Sequence, residues 1–496
     1  MTFLRLLFMR NPQRAKRFFE ILIPLISWAI ITLPLWLSFR HPAVASYLIV
    51  LFMVYWFYKS AIVAYHGLKS YLTLRAHMQV DWLLLAKKQK GFNDIHNLVI
   101  IPEYKEPIHV LRQTLEYIKN QDFPAKKISI CIATEVRDSE APEIIRTLKN
   151  EFAHHFAHFW ISKHRLVPGE IAGKSSNTAH GARYSVEQFN KIGKSLDAIT
   201  VTSCDADALL HPKFFSYLSY LFLTDTDHDY HFYQAGVMYY SNIWKVPLPV
   251  RVLSTIGSVF SLSNLSQEQR LINFSTYSIS LKTVVEVGYW SVDIIPEDYH
   301  MFFKTFYSKG EKVMVKPIFL PTLVQAAQST SFWRTMVNQY EQQKRWAWGV
   351  SDIPHVIYNY VVDVKIPFWA KTMRLIHLVE WHVVWATNWF ILTLGAFIPP
   401  LVNENFSRTN LGHNLSQISS YILTLCVVFI LVIIVLDAKV KPERPKEFSR
   451  WRIPFLYMQW ITLPVISFFL SALPGLDAHT RLMLGKRLEY RVTEKV

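Results

Sequence analysis

Three short groups of residues in this chain have types and spacings that could do chemistry. Asp205 and Asp207, in Cys204-Asp205-Ala206-Asp207, are carboxylates two positions apart at the end of an apolar, strand-like run, Ala198 to Ser203. Oxygen donors so placed suit a hard cation. Glu297 and Asp298 follow Pro296 at the start of a helix-like run. Pro suits the first turn of a helix, and the dipole favours acids there, so ordinary capping would also account for this pair. In Gln342-Gln343-Lys344-Arg345-Trp346 the spacing i, i+3, i+4 puts Gln342, Arg345 and Trp346 on one helical face. Arg345 can hold a phosphate oxygen by charge-assisted hydrogen bonds, with Gln342 in support. Trp346 offers a flat apolar face to the C–H side of a sugar. Singly, each group is weak. Asp205 and Asp207 read as a turn before His211-Pro212, and Trp346 reads as an aromatic-belt residue, as do Trp333 and Trp348.

The elements that must position these residues follow from the apolar pattern. From Asp94 to about Thr330, short apolar runs alternate with amphipathic stretches. Residues 98–101, 128–132, 198–203 and 232–238 read as strands, and 108–119 and 141–152 as helices. That alternation predicts an α/β domain with a mainly parallel sheet and helices on both faces. Ser331 to Val350 sets Phe332, Trp333, Trp346 and Trp348 among polar residues, as in a helix lying at a membrane interface.

With 496 residues, 51% of them hydrophobic, the chain exceeds one domain. Residues 21–39, 381–402, 416–436 and 453–476 carry no charge, and each is near the roughly 20 residues a spanning helix needs. Ala43 to Tyr58 is a shorter candidate. The first run reads as a retained anchor rather than a cleaved signal peptide. The net charge of +16 gathers beside these runs, in Arg5 to Arg17 and Lys439 to Arg452, as inside-facing flanks do. No zinc-finger or arginine-rich pattern points to nucleic acid. The basic tail after 476 is expected on the same side as the N-terminus, so 453–476, interrupted by Pro464, is expected to be re-entrant or interfacial, an undetected sixth span being the other solution. Cys131, Cys204 and Cys426 lack metal-site spacing and are expected as buried free thiols.

In this order, between membrane spans, the three groups resemble the motifs of membrane-bound family 2 glycosyltransferases of the cellulose, chitin and hyaluronan synthase type. The resemblance implies a GT-A-type α/β domain on the cytoplasmic face of the cell (inner or plasma) membrane. It implies inverting transfer of a sugar from a nucleotide-sugar donor, expected to be a UDP-sugar, to a growing polysaccharide exported across the bilayer. Asp205 and Asp207 would then hold Mg2+ or Mn2+ against the diphosphate, and Asp298, beside Glu297, would be the base. Arg345 and Gln342 would hold phosphate, and Trp346 would floor the acceptor site. Pro102, Tyr104 and Glu106, in Ile101-Pro102-Glu103-Tyr104-Lys105-Glu106, resemble the family's P-x-Y-N-E nucleotide-binding strand end, with Lys105 in place of Asn. Lys174 and Asn177 in Gly173-Lys174-Ser175-Ser176-Asn177 resemble its G-K-x-x-x-N segment near the nucleotide. That segment is no P-loop, because Pro168 stands where the first glycine would be. Where relatives carry an Asp pair that reads the base, this chain has Ala133-Thr134-Glu135, and Glu135 is the expected substitute. Tyr490-Arg491-Val492-Thr493-Glu494-Lys495 resembles the F-x-V-T-x-K gating loop, which would bring Thr493 and Lys495 to the nucleotide.

The expected organisation is therefore a basic segment with two spans (1–66), a GT-A domain (94–330), an interfacial helix (331–360), a second membrane region (371–476) and a cytoplasmic tail (477–496). Two other readings share parts of this pattern. One is a non-processive transferase acting on a lipid carrier such as polyprenyl phosphate. A synthase would need a polar, aromatic-lined path, for which Glu380, Trp381, His382, Trp385 and Asn388 are candidates. The other is a non-catalytic membrane scaffold or a transporter, against which the intact Asp205, Asp207, Asp298 and Arg345 argue.

Overall fold

The structure is a computed structural model, and it describes residues 2–446, 448, 449, 451 and 453–489. Its centre is an eight-stranded sheet in the order β3-β2-β1-β4-β7-β6-β8-β5. The strands are β1 (His96–Glu103), β2 (Ile128–Glu135), β3 (His158–His164), β4 (Ile199–Ser203), β5 (Leu209–Leu210), β6 (His231–Met238), β7 (Tyr277–Ser280) and β8 (Met314–Leu323). β3, β2, β1 and β4 run parallel, as the alternation of strands and helices predicts. The other half differs from the mainly parallel expectation. β7 is antiparallel to both β4 and β6, and β5 is antiparallel to β8, so the sheet is mixed.

Both faces of the sheet are covered, so its inner strands are apolar throughout rather than alternating. Leu98 and Ile100 point to one side with Val201 and Phe232, in a core that continues into Leu378, Val383, Ala478 and Leu482 of the membrane-type helices. Val99 and Ile101 point to the other side, onto Leu111, Ile145 and Phe215. Each such side chain contributes about 1.5–3 kcal/mol on burial.

Among the described residues, five helical stretches are long and apolar enough to cross a membrane: Pro12–Arg40, Pro42–Gln79, Phe368–Val402, Asn410–Val440 and Ile453–Met483. The second is longer than the sequence suggested. Residues 66–79 continue the helix and touch the α/β domain. His66 Nδ1 lies 2.7 Å from Ser266 Oγ, and the Tyr217 hydroxyl 3.0 Å from His77 Nδ1. The 453–476 run lies within a stretch of crossing length, broken by a 3-10 turn at Gln459–Thr462 and a π turn at Phe468–Ala472.

Candidate active site

β1, β2 and β4 end at one edge of the sheet, where the carboxyl ends of parallel strands form a crevice. Antiparallel β7 starts at that edge, with Tyr277 opposite Ser203. The residues just after β4 therefore meet those just before β7. Two helices also begin there: Lys174–Lys191, opened by Lys174, and Glu297–Lys309, opened by the acid pair. Residues far apart in the chain are thus delivered to one place by topology.

Lys174 lies at the centre. Its Nζ is 2.7 Å from Asp205 Oδ1 and 2.9 Å from Glu297 Oε1, and it donates to the Ser275 carbonyl at 2.6 Å. The Glu297 contact is an ion pair rather than a directed hydrogen bond. Burial disfavours the ammonium, but Asp205, Glu297 and Asp298 outweigh it and hold the Lys174 pKa well above the usual lysine range. Ser275 links the rest. Its N–H donates to Asp298 Oδ2 at 3.0 Å, and its hydroxyl to Asp205 Oδ2 at 2.5 Å. It does so with a positive φ of 59°, a strained setting for a non-glycine residue of the kind that clusters at functional sites. Asn273 Nδ2 donates to the Asp298 carbonyl at 2.8 Å.

Asp298 keeps part of its side chain open, while Glu297 beside it is buried. Burial and the neighbouring Glu297, partly offset by Lys174, raise the Asp298 pKa to about 7. Asp207 Oδ2 accepts from the Gln325 N–H at 3.0 Å. Trp346 closes the group from the helix Phe332–Ala347. Its ring lies 5.4 Å from that of Tyr239, and its carbonyl accepts from the Tyr299 hydroxyl at 3.3 Å. Gln342 and Arg345 stand half-buried on the same helix. Trp348, expected as a belt residue, is instead 5% exposed in the main core, whereas Trp333 is 76% exposed.

The ends of β1 and β2 border a cleft of about 550 Å³ lined by Lys105, Glu106, Pro107, His109, Asp138 and Glu140. Pro102 sits in register with Ala133 at the strand ends. The Tyr104 ring packs under Arg137 at 5.2 Å, and Arg137 is ion-paired with buried Glu135. Glu106 is buried, and its N–H donates to Glu103 at 3.3 Å. Asn177 is 1% exposed and committed to His164, with Oδ1 2.8 Å from Nδ1. That contact ties the helix Lys174–Lys191 to the end of β3. Thr493 and Lys495 lie outside the described residues. Ser275, Asn273, Tyr239 and Tyr299 were not singled out in the sequence. Ser275 acts through a left-handed backbone that its residue type does not announce.

Among the described residues no group of three or more His, Cys, Asp or Glu is arranged to hold a metal ion. The donor set does fit a shared ion. Asp205 and Asp207 supply hard carboxylate oxygens, too few for a closed cage but suited to Mg2+ or Mn2+ completed by substrate phosphate and water.

Residues 200–440 match the family model described as glycosyl transferase family group 2. This match supports a family 2 glycosyltransferase. It runs from β4 through both acidic motifs and Trp346 to the helix Asn410–Val440, and leaves β1 to β3 outside. With the mixed sheet above, the domain is of GT-A type. No curated protein matches the chain. Among solved structures, it is similar to the mannosyltransferase PcManGT from Pyrobaculum calidifontis in complex with GDP-Man and Mn2+. That likeness has 13% identity and a TM-score of 0.43, covering 77% of this chain and 99% of that one. TarS residues 1–349 of S. aureus, in complex with UDP-GlcNAc, give 9% identity and a TM-score of 0.36, covering 71% of this chain and 93% of that one. Likeness at that level decides nothing about the donor or acceptor of this chain.

Proposed function

We propose that this protein is a membrane-anchored, inverting glycosyltransferase that uses a nucleotide-sugar donor. The observation that carries the reading is the meeting of Asp205 and Asp298 through Lys174 and Ser275, beside Trp346. The donor diphosphate lies against the Asp205–Asp207 edge, with the nucleoside toward the cleft below Tyr104 and Glu135. A divalent ion held by Asp205 and Asp207 supplies charge compensation to the diphosphate when bound. Lys174, kept cationic by its acids, adds fixed positive charge at the same edge, which stabilises negative charge growing on the leaving group. Arg345 and Gln342 hold phosphate oxygens, and the acceptor sugar stacks on Trp346. Asp298 takes the proton of the acceptor hydroxyl as that oxygen attacks the anomeric carbon. The bond from that carbon to the diphosphate oxygen breaks, and nucleoside diphosphate leaves. A base with a pKa near 7 is matched to this task.

The acceptor reading is transfer to a growing polysaccharide, with the segment around Thr493 and Lys495 closing over the donor. A second reading, transfer to a lipid-linked acceptor, is favoured by one observation. Two of the side chains expected to line a glycan path hold helices together. Glu380 pairs with Lys59 at 2.7 Å and Tyr55 at 2.6 Å, and Trp385 donates to the Ser471 carbonyl at 3.2 Å. Purified protein incubated with a panel of radiolabelled nucleotide sugars, followed by product sizing and extraction into organic solvent, tests both. A long water-soluble product supports the polysaccharide, and an extractable product the lipid carrier. No nucleotide release with any donor overturns the enzyme reading.

A further inference from the structure

Two consecutive residues of the helix Glu297–Lys309, directly after the proposed base, are gripped by one short turn. That 3-10 turn, Trp348–Asp352, follows the helix that carries Trp346. The first grip is steric. A Cβ built on Gly349 would lie within 2.5 Å of Tyr299 Cε2 and 2.7 Å of His382 Cε1, so no side chain larger than hydrogen fits between those rings. The second is polar. His300 Nδ1 lies 2.6 Å from Asp352 Oδ1, and the other ring nitrogen lies 3.0 Å from Ser291 Oγ. His300 and Asp352 are 6% and 4% exposed, so this contact is shielded from water.

His382 comes from the membrane-type helix Phe368–Leu394 and is 2% exposed. Its Nδ1 has no hydrogen-bond partner among the described residues, and it presents Cε1 to Gly349. It therefore acts here as a packing surface. The membrane helix, the turn and the acidic helix meet in van der Waals contact one residue from Asp298. The Tyr299 hydroxyl, donating to the Trp346 carbonyl, closes the loop between the base and the proposed acceptor floor.

We propose that the turn Trp348–Asp352, backed by His382, is a clamp that sets Asp298 in register with Trp346. Gly349, Asp352, His300 and His382 are positioning residues. They touch neither donor nor acceptor, and they govern the distance between the proton acceptor and the hydroxyl it serves. The inference rests on the glycosyltransferase reading above. It adds that the acceptor side of the reaction is built partly on the membrane helix. A methyl group at Gly349 must push the Tyr299 ring, and a shift of about 1 Å in a reacting geometry can cost about 10²-fold in rate.

The test uses the full chain in detergent or liposomes with a donor that the wild-type protein turns over. Gly349→Ala should lower kcat by about 10²-fold while the donor KM stays within about twofold, the pattern of an interaction realised only in the transition state. Asp352→Asn should shift the same constants in the same direction, by less. Tyr299→Ala removes one of the two rings that Gly349 makes room for and leaves the other, His382. On that background Gly349→Ala should cost less than about tenfold, against about 10²-fold in the wild type, the non-additivity expected of residues in contact. If Gly349→Ala alone does not fold, the Tyr299→Ala/Gly349→Ala variant carries the test, and it must fold and lose less than about tenfold in kcat against Tyr299→Ala. The clamp is overturned by near-normal kcat in Gly349→Ala, by a loss confined to donor affinity, or by equal losses on both backgrounds. A wild-type protein that turns over no donor overturns the functional reading and the clamp with it, which distinguishes the two failures.

Discussion

Ser275 makes three contacts, each through a different group: its N–H to Asp298, its hydroxyl to Asp205 and its carbonyl to Lys174. Only the hydroxyl depends on residue type, whereas the positive φ favours glycine. Ser275→Gly and Ser275→Ala therefore lose the same hydrogen bond but differ in strain. Glycine should leave the protein more stable than alanine by about 1 kcal/mol, readable as a higher apparent melting temperature. A more stable alanine variant would contradict the strained setting. At Asp298 the expectation is sharper. Asp298→Asn should bind donor normally and transfer sugar about 10²–10⁴-fold more slowly, since only the proton acceptor is lost. The same carboxyl must be ionised to act, and burial followed by Glu297 raises its pKa to about 7. Protonation below that value removes the base. Transfer should thus rise with pH through about 7 and level off above it. A rate that falls over that range would assign the proton to another group.

At the scale of elements, legibility followed local signal. Residues 108–119 and 141–152 form helices with the bounds read from the sequence, because each has a clean apolar stripe and flanking breaks. The runs 98–101, 128–132 and 232–238 lie in β1, β2 and β6, and 198–203 starts one residue ahead of β4, because continuous buried strands are apolar throughout. The other four strands were hidden for physical reasons. β3 carries His158, Trp160 and Lys163 at the sheet margin, β5 has two residues, and β7 is a four-residue Tyr-Ser-Ile-Ser segment. β8 contains Pro317 and Pro321, with a register shift near Ala235 and Gly236 in its pairing with β6. Pairing across the sheet, rather than composition, makes these segments strands. The candidate site divides similarly. Asp205, Glu297 and Lys174 were legible as motifs, whereas Ser275 and Gly349 matter through backbone angle and clearance, which no residue pattern encodes. The tail motif lies outside the described residues, so its test is functional. Deleting Tyr490 to Val496 should cripple nucleotide release while leaving the elution profile and helical content unchanged. Normal turnover by that variant would remove the gating role from Thr493 and Lys495.

At the scale of the molecule, the α/β domain and the membrane-type helices share one hydrophobic core, and a buried polar joint fixes how they meet. Asp437, near the end of the helix Asn410–Val440, is 6% exposed. Its Oδ1 accepts from Tyr240 at 2.8 Å and Thr255 at 3.1 Å, both from the α/β domain, and its Oδ2 pairs with Lys441 at 2.5 Å. Lys441 also faces the Tyr240 and Trp244 rings at 5.9 and 5.3 Å, so its ammonium is enclosed by aromatic surface. Breaking such a pair from one side strands a buried charge, at a cost of about 3–5 kcal/mol, whereas replacing both members by neutral groups of similar size costs far less. Asp437→Asn alone should therefore loosen the joint and speed amide exchange in the helix Leu248–Leu265, which packs against it. Asp437→Asn combined with Lys441→Met should restore most of that protection. If the double variant exchanges as fast as the single one, the joint is held by the hydrogen bonds to Tyr240 and Thr255 rather than by the ion pair. The charge would then be incidental to how the catalytic domain is seated on its helices.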